Sequence, residues 1–216
     1  MIKGFVFDLN GTMIDDMEYH IKAWHRILND LGASISLERM KEECYGKNHE
    51  LLERMFPGRF TYEEKDAMSY EKEKAYQAAF RPQLKLLPGL ESFIKEAFDR
   101  GIKMSIGSAA IMFNIDFVLD GLNIRPYFHT LVSADDVSSS KPNPETFLKC
   151  AAGMGLEPEE CLVFEDAPKG VLCAQNAGMK CIVIKGIHTE EEFADLKNIT
   201  EYIDDYTQVS IDSLLV

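Results

Sequence analysis

Long apolar runs, paired cysteines, internal repeats and low-complexity tracts are all missing from this 216-residue chain. No stretch approaches the ~20 consecutive apolar residues that a membrane-crossing helix requires. The opening Met1-Ile2-Lys3-Gly4 runs straight into a short apolar strand and lacks the layout of a secretion signal, so a cytoplasmic protein is expected. The five cysteines (Cys44, Cys150, Cys161, Cys173, Cys181) are odd in number, widely spaced and never in a Cys-x-x-Cys pair. They read as reduced, mostly buried thiols and exclude a disulfide framework. Cationic side chains are also scarce: 23 Lys and Arg against 36 Asp and Glu leave a net charge of −13. Such a surface repels nucleic acid and anionic membranes, which excludes both as expected partners. It would repel a phosphorylated ligand too, so any phosphate site here needs its own local cations.

What is present suits an ordinary globular protein, with 46% hydrophobic and 27% charged residues. Ile2 to Phe7 is a short apolar run ending at Asp8, the pattern of a buried parallel strand. Similar runs recur at Lys103 to Ile106, Thr130 to Ser133, Cys161 to Phe164 and Lys180 to Ile184, with helical stretches between them. Leu90, Phe93, Ile94, Ala97 and Phe98 lie at helical spacing before Gly101, and Asn143-Pro144 opens another helix. This alternation predicts an α/β fold, a doubly wound parallel sheet, whose ligands bind at the carboxyl ends of the strands. The acidic runs at Glu157 to Glu160 and Glu190 to Glu192 read as solvated helix starts.

One stretch breaks the alternation. From about Asp16 to Phe80 there are helical patterns and no convincing strand. Met17, His20, Ile21, Trp24, Ile27, Leu28 and Leu31 share one helical face, and Leu51, Leu52, Met55 and Phe56 form a second stripe. Thr61 with Glu64 makes a capping box for a third helix. The expected organisation is therefore an α/β core, 1–15 and 82–216, with a small all-helical cap, 16–81, inserted after the first strand and above the sheet's carboxyl edge.

Four features fall at predicted strand ends: Phe7-Asp8-Leu9-Asn10-Gly11-Thr12, Ser108, Lys141-Pro142, and Phe164-Glu165-Asp166 followed by Gly170. Singly, each is the sort of residue that caps a helix or sits solvated in a turn. A calcium-loop reading of Asp8 to Asp16 fails, because its glycine comes two positions early. Together, on separate strands at one edge, they fit phosphoryl transfer. A carboxylate attacking a phosphate dianion needs cations between the two. Asp8, Glu165 and Asp166, with the peptide carbonyl of Asn10, offer the hard oxygens that Mg2+ prefers. Lys141 adds a fixed positive charge and Ser108 a donor for the non-bridging oxygens. Asp8 is then the nucleophile.

The order Asp-x-Asn-Gly-Thr, Ser108, Lys141-Pro-Asn-Pro and Glu165-Asp-Ala-x-x-Gly resembles the haloacid dehalogenase superfamily, mostly phosphatases and phosphomutases. The likeness spans essentially the whole chain. With Glu18-Tyr19-His20-Ile21-Lys22-Ala23-Trp24, it is similar to the β-phosphoglucomutase-like group in particular. The resemblance implies a nucleophile at Asp8, phosphate contacts at Ser108 and Lys141, and Mg2+ ligands at Asp8, Glu165, Asp166 and the main chain of Asn10. The candidate substrate-facing set is Leu9, His20, Trp24, Gly46, Lys47, His49, Lys72, Ser108, Ala109 and Lys141. The expected ligand is one small phosphorylated metabolite, such as a sugar phosphate, and the expected state a monomer.

The chain departs from the family at two places. Position 10, the family's general acid and base, is asparagine, which cannot transfer a proton; losing such a group commonly costs ~10²–10⁴-fold in rate. Asn10 reads as an engineered trap, as a native residue serving a leaving group that needs no proton (an acyl phosphate or a pyrophosphate), or as the mark of a slow enzyme or phospho-sensor. In the cap, Tyr45 and His49 stand where a mutase of this group has lysine and arginine, with Lys47 and Lys72 as candidate replacements. Phosphatase and phosphohexomutase both stay open. Dehalogenase chemistry is disfavoured, because it has no use for the Glu165-Asp166 pair.

Overall fold

In the computed structural model, which describes residues 1–215, six parallel strands form one sheet in the order β3-β2-β1-β4-β5-β6. The strands are β1 (Gly4–Phe7), β2 (Lys103–Gly107), β3 (Thr130–Val132), β4 (Cys161–Glu165), β5 (Lys180–Ile184) and β6 (Ile199–Ile203). The helices are α1 (Met17–Asp30), α2 (Leu37–Glu43), α3 (Asn48–Met55), α4 (Tyr62–Phe80), α5 (Leu90–Asp99), α6 (Met112–Gly121), α7 (Glu145–Met154), α8 (Pro168–Asn176) and α9 (Ile211–Leu214). The chain divides into two compact units, Met1–Asp15 with Lys85–Val216, and Asp16–Leu84. None of the helices among the described residues is long and apolar enough to cross a membrane.

The α/β unit explains why its strands read as unbroken apolar runs: both faces of β1 are covered. Val6 packs with Val163, Val183, Phe147 and Val171 in one core. On the other face, Phe5 and Phe7 contact Phe93 of α5 and Phe164 of β4, with Phe7 and Phe164 stacked at 4.9 Å. Burying each such side chain contributes roughly 1.5–3 kcal/mol. Five strands occur where the apolar runs predict them. β6 has no such signal, because it is an edge strand whose Thr200 and Glu201 are exposed. The acidic runs form 3-10 turns, Pro158–Glu160 and Glu190–Phe193, rather than α-helices.

Register matters for function. Phe7 lies beside Ile106 of β2 and Phe164 of β4, so Asp8, Ser108 and Glu165 leave the sheet at the same edge. The order also reverses direction between β1 and β4, the switch point at which open parallel sheets leave a crevice.

The helical unit has its own core of Ile21, Trp24, Leu28, Ile35, Met40, Leu51 and Leu52. The Thr61 box is present: the Glu64 N–H donates to Thr61 Oγ1 at 3.2 Å, and the Thr61 N–H donates to Glu64 Oε2 at 2.8 Å. A short helix not picked out from the sequence, α2, starts at Ser36, whose hydroxyl accepts the Arg39 N–H. At only seven residues it carries too few apolar positions to show a period. A 3-10 turn at Arg81–Gln83 continues α4 and takes this unit three residues beyond the expected boundary.

Candidate active site

β1 delivers Asp8 into a turn, its N–H donating to the Phe164 carbonyl at 3.0 Å. β4 delivers Glu165 and Asp166 alongside. One oxygen each from Asp8, Glu165 and Asp166 lie within 4.8 Å of one another, and all three residues are buried. Lys141 reaches in from the segment after β3, its Nζ 2.7 Å from both Asp8 Oδ1 and Glu165 Oε1. The other Glu165 oxygen accepts the N–H groups of Asp166 and Ala167, both at 2.8 Å. Thr12 Oγ1 donates to Asp166 Oδ1 at 3.3 Å.

Electrostatics follow from three acids and one lysine buried together. Burial works against the Lys141 charge, but the carboxylates of Asp8 and Glu165 more than offset it and hold its pKa above the ordinary lysine value. Burial first, then the charges of Glu165 and Asp8, push Asp166 well above the usual carboxylate range, although Lys141 and Thr12 work the other way. A divalent cation between the acids would relieve that repulsion. The hard-oxygen donor set therefore fits Mg2+.

Ser108 is buried at the end of β2, its N–H bonded to the Val132 carbonyl at 2.9 Å and its hydroxyl accepting the Ala110 N–H at 3.1 Å. Ala109 follows it, partly exposed. Leu9 is fully buried. Asn10 is partly exposed and bridges to Ile14 in the tight turn after Asp8.

The remaining candidates belong to the helical unit. His20 Nε2 is 3.2 Å from Asp16 Oδ2, and Lys72 Nζ is 2.6 Å from His20 Nδ1. With a protonated Lys72 donating, Nδ1 is the acceptor, so the ring carries its proton on Nε2 and donates to Asp16. Tyr76 also donates to Asp16; burial and then the Asp16 charge raise its pKa. Lys72 further pairs with Glu73 at 3.0 Å. Lys72 is 1% exposed, with its charge met inside its own unit. Trp24 is core here, with Lys72 Nζ 5.4 Å from its ring centre. Gly46 and Lys47 form the turn before α3, where Asn48 donates to Glu73 at 2.7 Å. His49 packs edge-on to Tyr62 and lies 3.6 Å from Asp66. Tyr45 stacks under the Arg54 guanidinium at 3.9 Å.

Two site neighbours carried no role in the sequence reading. Thr12 was legible as part of the first motif but not as a partner of Asp166. Tyr206, from the turn after β6, donates to the Thr12 carbonyl at 3.2 Å; burial, then Asp8 and Asp166, raise its pKa. No motif marks it. The cysteines are free thiols, as expected, with burial pushing Cys150 and Cys173 up to about 12.

Residues 5–184 match the family described as haloacid dehalogenase-like hydrolase. Fructose-1-phosphate phosphatase of Escherichia coli is 30% identical over 182 residues, covering 84% of this chain and 96% of that protein. β-Phosphoglucomutase of Bacillus subtilis is 32% identical over 187 residues, covering 82% and 81%. The crystal structure of β-phosphoglucomutase from Clostridium difficile superposes with a TM-score of 0.85 at 27% identity, covering 100% of this chain and 96% of that one. The same α/β architecture, the acid cluster at its strand ends and these similarities lead to one statement: the chain belongs to the haloacid dehalogenase-like hydrolase family, as an enzyme of its phosphatase and phosphomutase branch.

Proposed function

We propose that this enzyme is a magnesium-dependent phosphatase of small sugar phosphates, working through a phosphoryl group carried on Asp8. The observation that carries this reading is the convergence of Asp8, Glu165 and Asp166 with Lys141 between them. Asp8, Glu165 and Asp166 would hold the ion with the Asn10 carbonyl. When bound, it would supply charge neutralisation between the acids and the substrate phosphate. Lys141 donates to Asp8 and holds it aimed, and with Ser108 meets the non-bridging oxygens. An Asp8 oxygen attacks phosphorus in line, the bond to the leaving oxygen breaks with that oxygen taking a proton from solvent water, and a second water then hydrolyses the acyl phosphate to inorganic phosphate and free Asp8.

Phosphatase is preferred to mutase because the helical unit has Tyr45 and His49 engaged with Arg54, Tyr62 and Asp66, where a mutase of this group places cations for a second phosphate. Asn10 favours a second reading. An amide cannot protonate an alkoxide, so substrates whose leaving group needs no proton, acyl phosphates or pyrophosphate, suit this chain as it stands.

The test is a substrate panel run with Mg2+ and with chelator, on this chain and on Asn10→Asp. Sugar monophosphates should turn over ~10²–10⁴-fold faster in the variant, whereas acetyl phosphate should change little. Inactivity of both proteins across the panel would defeat the enzymatic reading.

A further inference from the structure

Gly170 lies in the first turn of α8, buried beneath the acid pair. Its backbone is not in the left-handed region that demands glycine. A helix loses stability with glycine relative to alanine, so local structure gives no reason for glycine at this position. Space does. A Cβ built at 170 would fall 1.7 Å from Glu165 Oε1, 1.9 Å from its Cδ and 2.4 Å from Oε2. The carboxylate of Glu165 therefore occupies the volume that any side chain at 170 would take. Nor is that carboxylate a loose end free to swing aside. It is 2% exposed and held by Lys141 on one oxygen and by two main-chain N–H groups on the other. Gly11 makes a parallel seat for Asp166, whose Oδ2 would lie 2.1 Å from a Cβ there. At Gly11, however, φ is +75° and requires glycine on its own account. Gly170 is the case in which space alone decides.

We propose that Gly170 is a positioning residue for the reaction: its missing side chain is the seat of the Glu165 carboxylate, and so sets how well the three acids hold a divalent cation. The cation part rests on the phosphatase reading above; the seat itself does not. A methyl group at 170 displaces the Glu165 carboxylate, breaks its three hydrogen bonds and opens the acid cluster.

The experiment is a double-mutant cycle of Gly170→Ala and Glu165→Ala, read by thermal unfolding without metal and by calorimetric titration with Mg2+. With Glu165 present, Gly170→Ala should lower the Tm and weaken Mg2+ binding by ~10–100-fold. With Glu165→Ala already in place, the same change should raise the Tm by about 2–4 °C, since only helix propensity remains, and leave Mg2+ binding at the level of Glu165→Ala. A Gly170→Ala protein too unstable to purify, recovered by adding Glu165→Ala, also supports the seat. An equal Tm shift in both backgrounds, or failure of Glu165→Ala to recover the protein, overturns it. If the unmodified chain binds no Mg2+, the cation reading fails, and the Tm cycle still decides the seat.

Discussion

Each of the two units buries a lysine among acids, and the difference between the two clusters separates chemistry from architecture. Lys141 faces Asp8 and Glu165, with Asp166 beside them, and these acids arrive from two separate strand ends, β1 and β4. Lys72 faces Glu73 and, through His20, Asp16, all on α1, on α4 or at their ends. In the helical unit neutral donors do much of the work: Tyr76 and the His20 ring on Asp16, Asn48 on Glu73. In the α/β unit three carboxylates crowd within 4.8 Å, the only such group among the described residues. The first arrangement invites a cation; the second resembles a buried clasp that ties helices together.

The largest test of that contrast is Asp8→Asn. It removes the proposed nucleophile and should cut phosphate release more than ~10⁴-fold while leaving the fold intact by circular dichroism. Lysine removal compares the clusters directly. Lys141→Ala and Lys72→Ala should each cost about 3–5 kcal/mol in denaturant unfolding, because each strands buried acids. Saturating Mg2+ should restore stability to the first variant and not to the second. Restoration of both, or of neither, would dissolve the distinction. A smaller loss, about 1–3 kcal/mol, is expected for Tyr76→Phe, which deprives buried Asp16 of a donor. Mg2+ affinity should not change in that variant.

The subtlest effect is a pH slope. Asp166 has a pKa raised above the ordinary aspartate value of 3.8, so the folded state prefers it protonated while the unfolded chain ionises it. Its contribution to stability is complete below that value and is lost as pH climbs through the raised one. Metal-free protein should therefore lose stability with rising pH over that window relative to Asp166→Asn, and Mg2+ should flatten the difference. Parallel pH profiles for the two metal-free proteins would contradict it.

The legibility of the two clusters differed for a physical reason. A central parallel strand buried on both faces must be apolar throughout, so Gly4–Phe7 and Cys161–Glu165 announce themselves, and an acid at the end of such a run is conspicuous. β6, exposed on part of its surface at the sheet edge, has no such obligation and was missed. His20 and Lys72 were both singled out along the chain, but 52 residues separate them and nothing in their neighbourhoods says that one donates to the other. Thr12 and Tyr206 likewise acquire meaning only as a pair.

From the chain alone came the α/β class, the helical insertion after the first strand, and the identity of the four strand-end groups, because burial period and strand-end chemistry are local in sequence. Tertiary structure decided which groups touch. The 2.7 Å contacts of Lys141, the crowding that raises Asp166, the clasp around Lys72 and the carboxylate seated where Gly170 has no side chain all depend on register between strands and on helix contacts. Those are properties of packing, which no single segment carries.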